Sequence, residues 1–207
     1  MSLTRAGAIF IVSIFLFNLI VSIFTYSNVV FGSFDLILRL LALNGFFLLS
    51  ITSIMSAFIK EIYKALGKPF LRVHHVFAAI GLTLITLHPI VYVIQTLNLR
   101  VFLPNLGSIT DFFTMGGSVA LILIYVSFTV ALLMKRIPKY FRKIHQLVIV
   151  ALFFAVIHAN LLGVDFSSIP LRITYDILFL ATVGAYILKR YRVYKAKKLK
   201  QKPLLPL

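Results

Sequence analysis

Six stretches of about 20 residues with almost no charge dominate this chain, and few folds can accommodate them. At ~1.5 Å of rise per residue, a helix of that length spans the ~30 Å of hydrocarbon in a bilayer. The runs lie at 6–25, 36–59, 74–97, 112–134, 144–164 and 170–188 of the 207 residues. The last is the weakest, because Arg172 and Asp176 lie near its start, four residues apart, where they can pair on one helix face. The first does not read as a secretory leader: it is too long, Asn18 interrupts it, and no small-residue cleavage pattern follows. With 61% hydrophobic and only 13% charged residues, the composition is not that of an ordinary soluble enzyme. Cysteine is absent, which excludes disulfides, cysteine nucleophiles, thiolate-held iron–sulfur clusters and covalently attached haem.

Charge orients the runs. Of the 21 Lys and Arg residues, all but Arg39, Arg100 and Arg172 fall on one side of the alternating connections. The basic side holds Lys60, Lys64, Lys68 and Arg72 after the second run, and Lys135, Arg136, Lys139, Arg142 and Lys143 after the fourth. The opposite side holds Asp35, Asp111 and Asp165. The positive-inside rule then predicts an all-α, six-helix integral membrane bundle with both termini cytoplasmic. It is expected to be a multi-pass protein of the cell membrane, with its spanning domain over 1–190 and a basic tail over 191–207. The tail suits an anionic lipid surface or an acidic partner protein, and nucleic acid is not an expected partner. No Gly-rich phosphate loop indicates a nucleotide-binding module.

All five histidines lie on the third and fifth runs: His74, His75 and His88 on one, His145 and His158 on the other. Ionisable side chains at membrane depth are costly and mark functional sites by default. His74 and His88 are 14 residues apart, and His145 and His158 are 13 apart, or about 21 and 20 Å along a helix. Both runs leave the basic side, and in each the first histidine stands two residues past a cation, Arg72 or Lys143. The four imidazoles therefore form two levels, one near each membrane face. If the helices are neighbours, each level offers a bis-imidazole clamp of the kind that holds a b-type haem. His75 is the rival to His74 as inner ligand. Helix phase argues partly against the scheme, because 13 residues at ~100° each miss the starting face by about 140°. His145 and His158 then need tilt, a local bulge or different rotamers to face one partner. Pro89, after His88, predicts a kink in the third run. Competing readings are hydrogen-bonded packing histidines, and a non-redox haem or metal transporter with transient histidine ligands.

Two segments carry a resemblance. Leu71-Arg72-Val73-His74-His75 through Leu84-Ile85-Thr86-Leu87-His88, and Lys139 to His145 continuing through Ala155-Val156-Ile157-His158, resemble the third- and fifth-helix motifs of the ferric-reductase-like transmembrane superfamily. That group includes ferric reductases, NADPH oxidases, STEAP proteins and the MsrQ/YedZ group. The chain's length is similar to the MsrQ/YedZ group, and its full four-histidine set resembles the ferric reductases and oxidases. The resemblance implies heme b, one or two per chain, with His74 and His145 as inner ligands and His88 and His158 as outer ligands. It implies electron transfer across the membrane to an acceptor on the outer side. Arg72 and Arg142 are candidate partners for the propionates of an inner haem. The larger relatives carry a C-terminal FAD and NAD(P)H domain, for which the sequence to Leu207 has no counterpart. The electron donor is therefore expected to be a separate flavoprotein reductase or a membrane quinol, with quinone or flavin as possible further cofactors.

Overall fold

The computed structural model describes residues 4–27, 33–66, 70–162 and 165–200. Lys68, Lys202 and the end of the run at 144–164 lie outside the described residues. The described elements are helical: α1 (Arg5–Ser27), α2 (Ser33–Met55), α3 (Ile59–Leu66), α4 (Phe70–Thr96), α5 (Ile109–Thr114), α6 (Gly116–Leu132), α7 (Pro138–Ile144), α8 (Leu147–Leu162) and α9 (Ile169–Lys200), with a 3-10 turn over Leu99–Phe102.

Among the described residues, five stretches are long and apolar enough to cross a membrane: Gly7–Thr25, Phe34–Met55, Phe70–Thr96, Pro138–Leu162 and Ile169–Lys198. The run read at 112–134 is built differently from a single span. It divides into α5 and the shorter apolar helix α6, because Met115 leaves helical geometry at φ −90°, ψ 17°. Ser108 caps α5, its hydroxyl accepting from the Asp111 N–H at 3.0 Å. The run at 36–59 ends earlier, at Met55, and α3 follows it. The residues read as the start of a tail continue α9 as helix to Lys200. α4 also runs on through Pro89 to Thr96. It stops at Leu97, whose φ of 56° is left-handed, and Asn98 then caps the 3-10 turn.

The apolar surface is distributed as a bilayer requires. Ile9, Ile20, Ile94, Ile177 and Leu180 point outward along α1, α4 and α9, each more than half exposed. In water such faces would drive aggregation, whereas lipid solvates them. The interior is built around α2. Its residues Gly45–Ser50 are all buried, against α4, α9, α1 and α8. Tyr175 of α9 and Leu152 of α8 are each 1% exposed in the same core.

The crossing of α2 and α4 depends on two glycines. A Cβ on Gly45 would stand 2.4 Å from Ile85 Cγ2 and 3.0 Å from the Ile85 backbone nitrogen. A Cβ on Gly81 would meet the Leu49 side chain at 3.0 Å. Small residues let helices approach closely in lipid, where packing itself drives association. Gly45→Ala should therefore destabilise the bundle by about 1–3 kcal/mol. Gly184→Ala, where nothing lies within 4 Å, should be neutral or stabilise slightly. Thermal unfolding of the purified protein in detergent would rank the two, and equal effects would contradict the close crossing.

Candidate functional site

His74 of α4 meets His145 of the α7–α8 junction across the bundle, and His88 of α4 shares a cavity with His158 of α8. At the end of the molecule that carries the basic connections, the His74 and His145 rings lie 6.3 Å apart between centroids, at 65°. At the other end, His88 and His158 line the same cavity of about 150 Å³. Among the described residues, α4 and α8 share no extended backbone packing. α4 lies along α2, and α8 lies along α6. The facing histidines therefore belong to two helix pairs with side-chain space between them.

Three of the histidines are aimed by a neighbouring helix. His88 Nδ1 is 2.9 Å from the Leu38 carbonyl of α2. His145 Nδ1 is 3.2 Å from the Ser127 carbonyl of α6. His158 Nδ1 is 2.5 Å from the Thr114 carbonyl at the end of α5. A carbonyl only accepts, so Nδ1 carries the proton in all three rings and Nε2 keeps its lone pair. That tautomer is the one a metal ligand through Nε2 requires.

The carbonyls repeat the spacing of the histidines. Thr114 and Ser127 are 13 residues apart, as are His158 and His145, in antiparallel register. On α2 the carbonyl that faces His74 is Thr52, 14 residues beyond Leu38, matching His74 to His88. Thr52 does not complete a hydrogen bond, so His74 Nδ1 is buried without a partner. His75 is exposed, with its ring 5.8 Å from that of His74.

The phase problem of the fifth run is met in part by the backbone. The helix breaks at His145–Gln146, between α7 and α8. Val148 N–H bonds the His145 carbonyl at 3.4 Å and Ile149 N–H bonds that of Gln146 at 3.0 Å, both in the tighter i to i+3 pattern. A 3-10 turn advances ~120° per residue instead of ~100°. Over two or three residues this recovers roughly 40–60° of the 140° mismatch.

Glycine clears the far end. A Cβ on Gly117 would stand 2.9 Å from His158 Nε2, and one on Gly116 would stand 3.2 Å from the Phe154 carbonyl. The ring stack of Phe113 on Phe154, 5.7 Å between centroids, closes that side. Arg39 also lines the far cavity, 6% exposed and paired with Asp35 at 2.7 Å and with Asp165 at 3.3 Å. With both carboxylates on it, Arg39 is committed to joining α2 to the turn before α9. Arg72 and Arg142 are both exposed at the basic end, within a turn of His74 and His145.

Several of these residues escape a sequence reading. Leu38, Thr114 and Ser127 act here through backbone carbonyls, which leave no residue-type signal. The adjacent Gly116 and Gly117 were the one legible hint. Among the described residues, no set of three or more His, Cys, Asp or Glu side chains is gathered as an all-protein metal centre. No family model matches the chain, and no curated protein or solved structure matches it.

Asp165 lies outside the membrane-crossing stretches. Burial raises its pKa above the ordinary 3.8, against the opposing pull of Arg39. A carboxyl with a raised folded pKa holds its proton more tightly in the folded state. The stability it contributes is complete below 3.8 and is lost as pH rises through the folded pKa. Relative to Asp165→Asn, the wild type should lose thermal stability as pH is raised from 4 toward neutrality. A difference between the two that does not change with pH would contradict this account of the pair.

Proposed function

We propose that this chain is a transmembrane cytochrome b that carries electrons between two levels of paired histidines. In this reading His74 with His145, and His88 with His158, each hold a b haem. Six segments cross the membrane, with α5 and α6 together forming the fourth crossing and both termini on the cytoplasmic, basic side. The donor on that side is a flavoprotein reductase or a quinol, and the acceptor lies outside.

The observation that carries the reading is the His74–His145 pair. Two imidazoles on opposite sides of one metal ion, each ~2.0 Å from it, hold their ring centroids about 6 Å apart. The observed 6.3 Å is that separation, and it occurs with α4 and α8 held apart. The tautomer favours it too, since three of the four rings have Nδ1 on a carbonyl and Nε2 free. At the far end, the space at His158 Nε2 exists only because residue 117 is glycine. The enclosed volume of about 150 Å³ is smaller than the ~300–1,000 Å³ of pockets that surround a drug-sized ligand. Holding a haem at this level would therefore need more room than this cavity offers.

A bound b haem would supply one-electron iron chemistry at each level. The chain's own residues do the rest. The carbonyls of Leu38, Ser127 and Thr114 aim three imidazoles and keep a proton on Nδ1, away from Nε2. The levels stand about 20 Å apart along the helices, most of the ~30 Å of hydrocarbon. Arg72 and Arg142 offer cations for carboxylate groups at the basic end. Apolar side chains on every outer face exclude water from the path.

A pyridine-haemochrome count with a reduced-minus-oxidised spectrum tests the reading. Two b haems per chain are expected. The count should fall to one in His74→Ala, His145→Ala, His88→Ala or His158→Ala, and stay at two in His75→Ala. Gly117→Ala should selectively weaken the far-end level. Protein purified with adequate haem supply yet free of haem would sink the cytochrome reading. Histidine-dependent flux of haem or metal into liposomes would then replace it with a transporter.

A further inference from the structure

The break between α7 and α8 has its own support. In a regular helix the carbonyls of Ile144 and His145 would accept from Val148 and Ile149. Here those N–H groups have moved on by one residue, to His145 and Gln146. The Ile144 carbonyl is thereby left without a backbone donor, at a depth where an unsatisfied carbonyl costs several kcal/mol. The Ser127 hydroxyl of α6 stands in its place. It donates across 3.3 Å to Ile144 O and 3.4 Å to His145 O, one proton shared between two acceptors. Ser127 is 2% exposed, so water does not compete. The same residue's carbonyl takes His145 Nδ1.

The opposite flank of the break is also held. Gln146 Nε2 donates to the Arg142 carbonyl. Gln146 Oε1 accepts from Tyr186 Oη at 3.1 Å and from Arg190 Nη2, both on α9. The break is thus clamped from α6 on one side and α9 on the other.

We infer that Ser127 is a positioning residue for His145: its hydroxyl stabilises the helix break that turns the imidazole toward His74, and its carbonyl sets the tautomer. The proposal deepens the cytochrome reading and rests on it for the ligand. A regular helix satisfies the Ile144 carbonyl without help, so the hydroxyl decides between the two backbone forms. Without it the helix rewinds by roughly 40–60° and carries His145 off the line to His74.

Two measurements test this, one of them independent of haem. Ser127→Ala should lose or convert the basic-end haem, seen as a count falling toward one or a low-spin EPR signal replaced by a high-spin one. The far-end haem should remain. Ser127→Thr keeps the hydroxyl and should restore both. Thr25→Val removes another buried hydroxyl, one that donates to the Val21 carbonyl of its own helix at 2.8 Å, and should change neither. Because the chain has no cysteine, a His74→Cys/His145→Cys pair can be probed with a short bifunctional thiol reagent. Adding Ser127→Ala should lower the cross-linking yield roughly five- to tenfold, the effect of one buried hydrogen bond. Adding Ser127→Thr should not.

Undiminished cross-linking in the Ser127→Ala background would overturn the inference whether or not haem is present. An unchanged haem count and EPR signal in Ser127→Ala, with haem present in the wild type, would overturn it equally. A wild type without haem, but with cross-linking that depends on the hydroxyl, would reject the cytochrome reading and leave the positioning role standing.

Discussion

An imidazole inside a bilayer has two nitrogens, and lipid offers a partner to neither. For three of its four facing histidines, this structure meets that constraint with backbone carbonyls from the helix behind the ring. Leu38, Ser127 and Thr114 serve His88, His145 and His158. The carbonyls used are ones whose positions the antiparallel packing already sets. Much else follows from that choice. α2 must lie along α4, and α5–α6 along α8, with a register that matches the histidine spacing. The two pairs can then stand apart, because each histidine is oriented from its own side and does not need the opposite ring to hold it.

The close packing of each pair has its own requirements. Gly45 and Gly81 bring α2 and α4 near enough for the Leu38 carbonyl to reach His88. Gly116 and Gly117 do the same for the start of α6 against α8. At the far end, Arg39 pins α2 to the turn before α9 through Asp35 and Asp165. A buried arginine with a carboxylate on each side is strongly bound only as a complete set, since removing one member leaves an uncompensated charge. Arg39 therefore reads as a fastening between elements. His74 is the exception among the four rings. Its Nδ1 is buried and unpartnered, near a Thr52 carbonyl that does not quite engage it.

Much of this was legible along the chain. Apolar length identified the membrane-crossing helices, and the two histidine levels followed from counting residues at a fixed rise. The 13-residue spacing of His145 and His158 called for tilt, a local bulge or different rotamers, and the backbone is irregular at His145–Gln146. The boundaries were less legible. The fourth run reads as one span because its residues are uniformly apolar, yet it divides at Met115, where Ser108 and Asp111 build a separately capped turn. The basic stretch after residue 188 reads as tail because it is polar, yet Lys and Arg are good helix formers and α9 continues through it. Arg39 reads as a surface cation from its neighbours in sequence, and its second carboxylate, Asp165, lies 126 residues away.

By itself, then, the sequence determined the solvent and the depths. Helix length and the histidine intervals are properties of a single helix at a time, and a fixed rise per residue converts them directly into distance. Only the tertiary structure decided direction. Whether His74 or His75 turns inward, which carbonyl meets each imidazole, and where the fifth helix breaks depend on the helix packed behind. Backbone carbonyls are the same in every residue, so a sequence cannot mark the ones that packing will select.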